Sequence, residues 1–153
     1  MKKIFNCIFF TLAFVCASCT PDDDIEPTLA VTNYSIAGTW QLVELNEEPL
    51  PDSTYLYIVF EREGTFSIYN NLNSMYPVLQ TGSFSLEKDW RIGDIISGEY
   101  DYDNGTWNNE YIISDFEKES MIWTIKNDNS DVQKFARITE VPNHIVEAVR
   151  QPI

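Results

Sequence analysis

Histidine and basic residues are scarce in this 153-residue chain, and cysteine is confined to one end. His144 is the sole histidine, so a Ser-His-Asp hydrolase would have to use it, and no Gly-x-Ser-x-Gly elbow accompanies it. The three cysteines, Cys7, Cys16 and Cys19, all precede Thr20. Ten Lys and Arg stand against 24 Asp and Glu, a formal charge of -14. Such a chain is repelled by nucleic acid and by anionic lipid, which excludes polyanion binding. No long stretch has helical period before the last dozen residues. No apolar run is long enough to span a bilayer as a helix.

What is present begins with a leader. Met1-Lys2-Lys3 is a positive n-region, and Ile4 to Ala17 is apolar except for Asn6 and Thr11, the length and polarity of a signal-peptide core. Ala17 and Ser18 place small side chains before Cys19, where a peptidase would cut. The arrangement resembles the lipobox of bacterial lipoproteins, which implies removal of residues 1-18 and lipidation of Cys19. Cys16 stands where that pattern usually has Leu. Loss of Lys2 and Lys3 takes the formal charge to -16, so acyl chains, not a basic patch, would hold the protein to a membrane. No thiol remains in the mature chain, so disulfides, zinc-cysteine sites and a Cys nucleophile are excluded. "TPDDDIEPTLAVTN", through Asn33, reads as a solvated acidic tether, residues 19-33. Its aspartates resemble the surface-export signal of Bacteroidota lipoproteins, and that resemblance implies an outer-membrane, cell-surface location.

From Tyr34 the chain turns to short runs rich in Tyr, Ile, Val, Phe, Trp and Thr, separated by Gly, Asn, Asp and Pro, which predicts an all-β domain over residues 34-141. Eight strands are expected: Gly38 to Leu45, Tyr55 to Glu61, Thr65 to Asn70, Val78 to Leu86, Ile95 to Asp103, Thr106 to Ser114, Met121 to Lys126 and Val132 to Thr139. The short connections make sequence neighbours antiparallel neighbours. In "FEREGTF" a three-residue loop, Arg62-Glu63-Gly64, pairs Phe60 with Phe66 and Ile58 with Ile68, and asks Gly64 for the left-handed conformation of a bulge. In "YDNGTW" a two-residue turn at Asn104-Gly105 would set Tyr102 opposite Trp107, Tyr100 opposite Asn109, Gly98 opposite Tyr111 and Ile96 opposite Ile113. Hairpins in series with one apolar face favour closure into an eight-stranded up-and-down barrel, filled by side chains or holding one small ligand. After Glu140, Pro142-Asn143 opens a short helix in a tail spanning 142-153, with Ile145, Val146 and Val149 on one face.

"IAGTWQLVELN" resembles the Gly-x-Trp motif of the lipocalin-like barrels, here Gly38-Thr39-Trp40 opening the first strand. The resemblance implies that Trp40 closes the barrel base and that a basic residue on the last strand, Arg137 in "KFARIT", packs over it. With leader and tether, the chain resembles the small lipocalin-like lipoproteins of Bacteroidota.

Candidate sites come with rival readings. Glu99, Asp101 and Asp103 share a strand face, and the expected hairpin sets Glu110 opposite Glu99. That patch is a calcium candidate or a solvated acidic outer face. The second reading has the stronger claim, because the Gly105 loop does not follow calcium-loop spacing. The acids of the strands fall on the polar side, which leaves no pair for glycoside hydrolysis. Tyr100, Tyr102, Trp107 and Tyr111 read as core first and ligand contacts second, whereas Trp90 in "EKDWRIG" sits in a loop where packing alone explains it poorly. Neither a metal nor a cofactor is implied. The leading reading is a lipid-anchored, non-enzymatic barrel that binds a small apolar or amphipathic ligand in or at its mouth. Its rival is a filled barrel serving as a structural or interaction lipoprotein with an envelope protein partner. An open apolar pocket of about 300 Å³ separates the two.

Overall fold

The computed structural model describes residues 28–150; the expected leader, Cys19 and the aspartates Asp22 to Asp24 lie outside them. Nine strands follow a short helix α1 (Asn33–Ile36): β1 (Gly38–Leu45), β2 (Glu48–Pro49), β3 (Leu56–Phe60), β4 (Thr65–Asn70), β5 (Val78–Asp89), β6 (Gly93–Tyr100), β7 (Tyr111–Ser114), β8 (Ser120–Ile125) and β9 (Asp128–Ile138), with α2 (Asn143–Ala148) last. All pairings are antiparallel, and β1 pairs with both β3 and β9. The eight strands other than β2 therefore close into a barrel, while β2 only extends the end of β1.

Alternation along the strands decides what faces inward. Trp40 and Leu42, Ile58 and Phe60, Phe66 and Ile68, Phe84, Ile96, Ile113, Met121, Trp123 and Phe135 form one buried cluster, each two residues from the next inward position on its strand. The Arg62-Glu63-Gly64 loop has the expected register, with Phe60 opposite Phe66 and Ile58 opposite Ile68. Gly64 lies at φ 89°. On the outer face α2 sets Ile145, with Val141 before it, against Tyr57, Val59, Tyr69 and Ile138. That helix therefore covers the sheet where β3 and β4 would otherwise expose apolar side chains.

The two ends of the barrel differ. At the base, α1 and the β3–β4, β5–β6 and β7–β8 turns converge. Thr32 caps α1 through a reciprocal pair with Ser35, Ile36 is buried, and Phe116 of the β7–β8 turn packs against Trp40 at 6.1 Å. Residues 28–33, expected to be tether, are attached here: the Leu29 amide donates to the Phe116 carbonyl at 2.6 Å, and Val31 packs on the core. Val31 has apolar surface to bury while Leu29 is held through its backbone amide, and the acids of the expected tether all precede them.

The β6–β7 hairpin departs from its expected register. Tyr102 and Asp103, not Asn104 and Gly105, form the two-residue turn, both at positive φ (62° and 55°). Glu99 pairs with Thr106, Trp107 donates to the Gly98 carbonyl, and the ladder resumes with Ile96 opposite Tyr111. Gly98 consequently seats Trp107, not Tyr111. Its missing Cβ would stand 2.2 Å from Trp107 Cε2. The reason is burial: zipping from Asn104-Gly105 would place the indole opposite Tyr102 at the exposed tip, whereas here it is 8% exposed. Burying an aromatic ring is worth about 2–3 kcal/mol, more than a favourable turn dipeptide supplies. Each strand partner moves by an even number of residues, so the inward and outward faces are kept.

Candidate functional site

At the base, Arg137 is paired with Trp40 across the β1–β9 seam. Its guanidinium carbon lies 4.1 Å from the centre of the Trp40 ring. Nη1 donates to the Ala37 carbonyl at 2.7 Å, Nη2 to Ser35 at 2.8 Å and Nε to Lys118 at 2.7 Å. Partial burial draws the Arg137 pKa down, opposed by nearby Glu119, from a starting value so high that the side chain stays charged. The Trp40 indole N–H donates to the Ile36 carbonyl at 2.8 Å. One side chain thus ties together β9, the β7–β8 turn and the segment before β1, while the barrel floor above it is solid with aromatic rings. Trp123 lies 4.8 Å from Phe135 and 6.1 Å from Phe60, and Phe60 lies 4.9 Å from Phe84. These rings pack against one another through the deep interior.

At the opposite end the wall opens into a cleft of about 230 Å³. Its floor is Trp107, Trp123, Phe135, Ile58, Ile68 and Tyr111. Its upper wall carries Tyr100 and the carboxamides of Asn70, Asn73, Gln80, Asn108, Asn109 and Gln133. None of its lining residues is charged, in a chain with 34 charged residues, so the absence is a property of the site. Strand ends bring these groups together: Asn70 closes β4, Gln80 begins β5, Gln133 lies on β9, and Asn108 and Asn109 occupy the stretch where the β6–β7 ladder is broken.

Two polar atoms of the floor have no hydrogen-bond partner among the described residues, the indole Nε1 atoms of Trp107 and Trp123. Both rings are buried, at 8% and 2% exposure. A buried donor left unmet costs about 1–3 kcal/mol, and a phenylalanine in either place would leave a cavity of comparable cost, so the two indoles read as core packing beneath the cleft. Tyr100 stands 5.8 Å from Phe66 in an edge-on arrangement. Burial, and secondarily the neighbouring Tyr111, push its phenol pKa up, so it is neutral wherever the protein works.

The expected aromatic contacts therefore separate. Tyr100, Trp107 and Tyr111 line the cleft together. Tyr102 does not: it is 91% exposed at the hairpin tip, where it lines a neighbouring depression that shares Tyr100 and Gln80 with the cleft. Trp90 is 84% exposed in the β5–β6 turn, with Arg91 stacked on it at 4.8 Å. That turn is at the base, roughly 25 Å along β5 from Gly82, which pairs with Tyr100. Trp90 thus belongs to the other end of the molecule.

The acidic patch is dispersed as well. Glu110 is not opposite Glu99, because of the register slip, and it pairs with Lys126 at 2.7 Å. Asp101 accepts from the Thr81 hydroxyl, and Asp103 is in the turn. Among the described residues no group of three or more His, Cys, Asp or Glu is placed to hold a metal ion. His144 is on α2, outside the barrel. The depressions beside Glu99 and Glu110 lie on the outer wall and are lined mainly by serine, threonine and asparagine.

Sequence reasoning missed the six carboxamides. The available signal was the run Gly64 to Leu86, which holds no charged residue and forms the β4–β5 wall of the cleft.

A closed eight-stranded antiparallel barrel with a packed aromatic interior and a cleft at its mouth defines a lipocalin-like fold. The family model for the lipocalin-like domain matches residues 36–123, and the chain belongs to that family. Among solved structures it is similar to a lipocalin-like protein from Bacteroides uniformis ATCC 8492, at 19% identity and a TM-score of 0.50, over 68% of this chain and 99% of that one. A comparison with curated proteins finds no match.

Proposed function

We propose that the protein is a membrane-anchored, non-enzymatic binding module that takes a small amphipathic ligand at the mouth of its barrel. The observation that carries this reading is the uncharged cleft over an aromatic floor. At about 230 Å³ it is smaller than the roughly 300–1,000 Å³ of sites for drug-sized molecules. It therefore holds a compact ligand or one end of a longer one, and the filled interior removes the deep apolar pocket as a site.

The anchor gives the cleft an orientation. The chain enters the barrel at its base, where Leu29 is bound to Phe116. Lipidated Cys19 lies ten residues earlier, at most roughly 36 Å of extended chain. An anchored molecule would face the membrane with its base and present the cleft outward, on the outer membrane and at the cell surface. Cys19→Ala is expected to move the protein to the soluble fraction. Retention on the membrane would refute the anchor, and unchanged surface exposure after replacing Asp22, Asp23 and Asp24 by Ala would refute the export signal.

The binding reading is tested with the full soluble Cys19→Ala chain and octyl glucoside below its micelle concentration, following tryptophan fluorescence. Saturable one-to-one binding is expected, and a response that never saturates would refute it. A second reading, an interaction lipoprotein with an envelope protein partner, is favoured by Met75, 95% exposed, and Tyr76 beside it in the β4–β5 loop. In that case Met75→Glu with Tyr76→Glu abolishes capture of the partner and leaves octyl glucoside bound.

A further inference from the structure

We infer that the ligand of the cleft is a neutral saccharide unit, a hydroxyl-rich ring laid against the indole floor and held by the girdle of side-chain amides. This rests on the binding reading above and narrows it by asking which chemistry satisfies every group the cleft presents.

The girdle both donates and accepts. Each carboxamide offers two N–H donors and a carbonyl with two lone pairs. Asn70 donates to Gln80 at 3.3 Å and Gln133 to Asp131 at 3.3 Å, both long bonds, so most of the capacity of the six amides is unspent within the protein. The indole Nε1 atoms of Trp107 and Trp123 are buried out of reach of the cleft, that of Trp107 against Gly98, so the floor offers ring surface and the amides offer the hydrogen bonds. A ligand that covers the amides without hydrogen-bonding them leaves them desolvated and unpaired, which weakens its binding.

Alternative ligand classes fail on particular groups. An acyl chain would cover the amides and bond none of them. A carboxylate or phosphate would enter a site with no cation, in a chain of net charge -14. An ammonium ion only donates, so it leaves the amide N–H groups unmet, and no carboxylate in the lining balances it. A pyranose hydroxyl donates and accepts at once, and the C–H face of the ring packs on an aromatic face. The volume of the cleft suits one such ring, free or at the end of a neutral glycan.

The test uses the full Cys19→Ala chain, with ligand-observed saturation-transfer NMR and tryptophan fluorescence. The probes are the methyl glycosides of glucose, galactose, mannose and N-acetylglucosamine. Octanoate, choline and methyl glucuronate serve as comparators. At least one neutral glycoside is expected to bind saturably, with its charged counterpart and octanoate at least about ten-fold weaker. The corresponding disaccharide binds more tightly than the monosaccharide if the site takes a glycan end, and equally if it takes a free sugar. Asn73→Ala and Asn108→Ala alter exposed side chains and are expected to weaken binding about 2- to 10-fold each without changing the urea midpoint.

Octanoate or choline binding in place of every glycoside overturns the saccharide assignment and leaves a binding module. Failure of all these probes and of octyl glucoside overturns both. Glycoside binding unchanged by Asn73→Ala together with Asn108→Ala places the sugar elsewhere and overturns the site.

Discussion

Removing the Arg137 side chain should cost the barrel more stability than its partly exposed position implies. In Arg137→Met the stacked cation is lost from Trp40, 4.1 Å away, an interaction of about 0.5–2 kcal/mol. Three backbone carbonyls, those of Ser35, Ala37 and Lys118, lose their donor together. Water can reach the Lys118 carbonyl but reaches the other two less readily, so each bond counts at the modest net value of about 0.5–1.5 kcal/mol. Methionine keeps the apolar cover over the indole and recovers part of the loss, which leaves about 2–4 kcal/mol. Urea unfolding followed by tryptophan fluorescence and circular dichroism measures it. Arg137→Lys keeps the charge but cannot reach three diverging carbonyls, so it should fall about midway. A double-mutant cycle with Trp40→Leu, which removes the aromatic face, isolates the cation over the ring, with an expected coupling of about 0.5–2 kcal/mol. A loss below about 1 kcal/mol for Arg137→Met would show that water replaces the guanidinium at those carbonyls, and the argument for Arg137 as the tie of the base would fail.

Two glycines test different costs, and one tyrosine tests pH. Gly98→Ala puts a Cβ 2.2 Å from Trp107 Cε2; the indole must leave its seat, at about 1–3 kcal/mol, with an altered emission maximum, and unchanged emission would refute the seat. Gly64→Ala meets only ordinary contacts, the nearest 3.4 Å from Asn33 Nδ2, so its cost of about 1–2 kcal/mol comes from φ 89° alone; Gly64→Asn, better tolerated at positive φ, should recover part of it in the same urea series. Tyr100 has its folded pKa raised by burial and by Tyr111, so its contribution is complete below the unfolded value near 10 and is lost as pH rises through the folded value. Urea midpoints should fall between pH 9 and pH 11, and less steeply in Tyr100→Phe. Equal slopes would mean that the phenol is not buried in solution.

The strands were legible because their signal is local. A period of two in residues such as Phe66 and Ile68 needs no knowledge of the rest of the chain, and the loop at Arg62-Glu63-Gly64 was decided by which register kept faces apolar. The Trp40 and Arg137 contact was reached through a family resemblance, since nothing within "KFARIT" says which strand lies beside it. The cleft was not legible, for the same reason in reverse. Asn70, Gln80, Asn108 and Gln133 come from four separate stretches, and each amide read singly is an ordinary polar residue near a strand end. They become one girdle only after β1 meets β9 and the barrel closes. Helix α1 was missed because a four-residue turn fixed by Thr32 and Ser35 has no room for a hydrophobic period.

The failed hairpin arithmetic and the cleft are the same event. Pairing from Asn104-Gly105 maximises ladder bonds and sets Asn109 beside Tyr100 as an ordinary strand partner. In the molecule, Trp107 settles on Gly98 and the ladder resumes only at Tyr111. The three residues between them, Asn108 to Glu110, face only Ser97, an excess of two. That excess turns Asn108 and Asn109 out of the sheet and into the cleft wall, and it leaves the Trp107 N–H without an acceptor. A sequence optimised for the sheet alone would have closed this gap with paired β-branched residues. Giving up ladder bonds here frees two carboxamides at the rim, which makes physical sense where something outside the fold pairs with them. The strand ladder is also irregular between Leu42 and Glu44 and between Thr124 and Ile125, but only the break at Asn108 and Asn109 turns amides into the cleft wall.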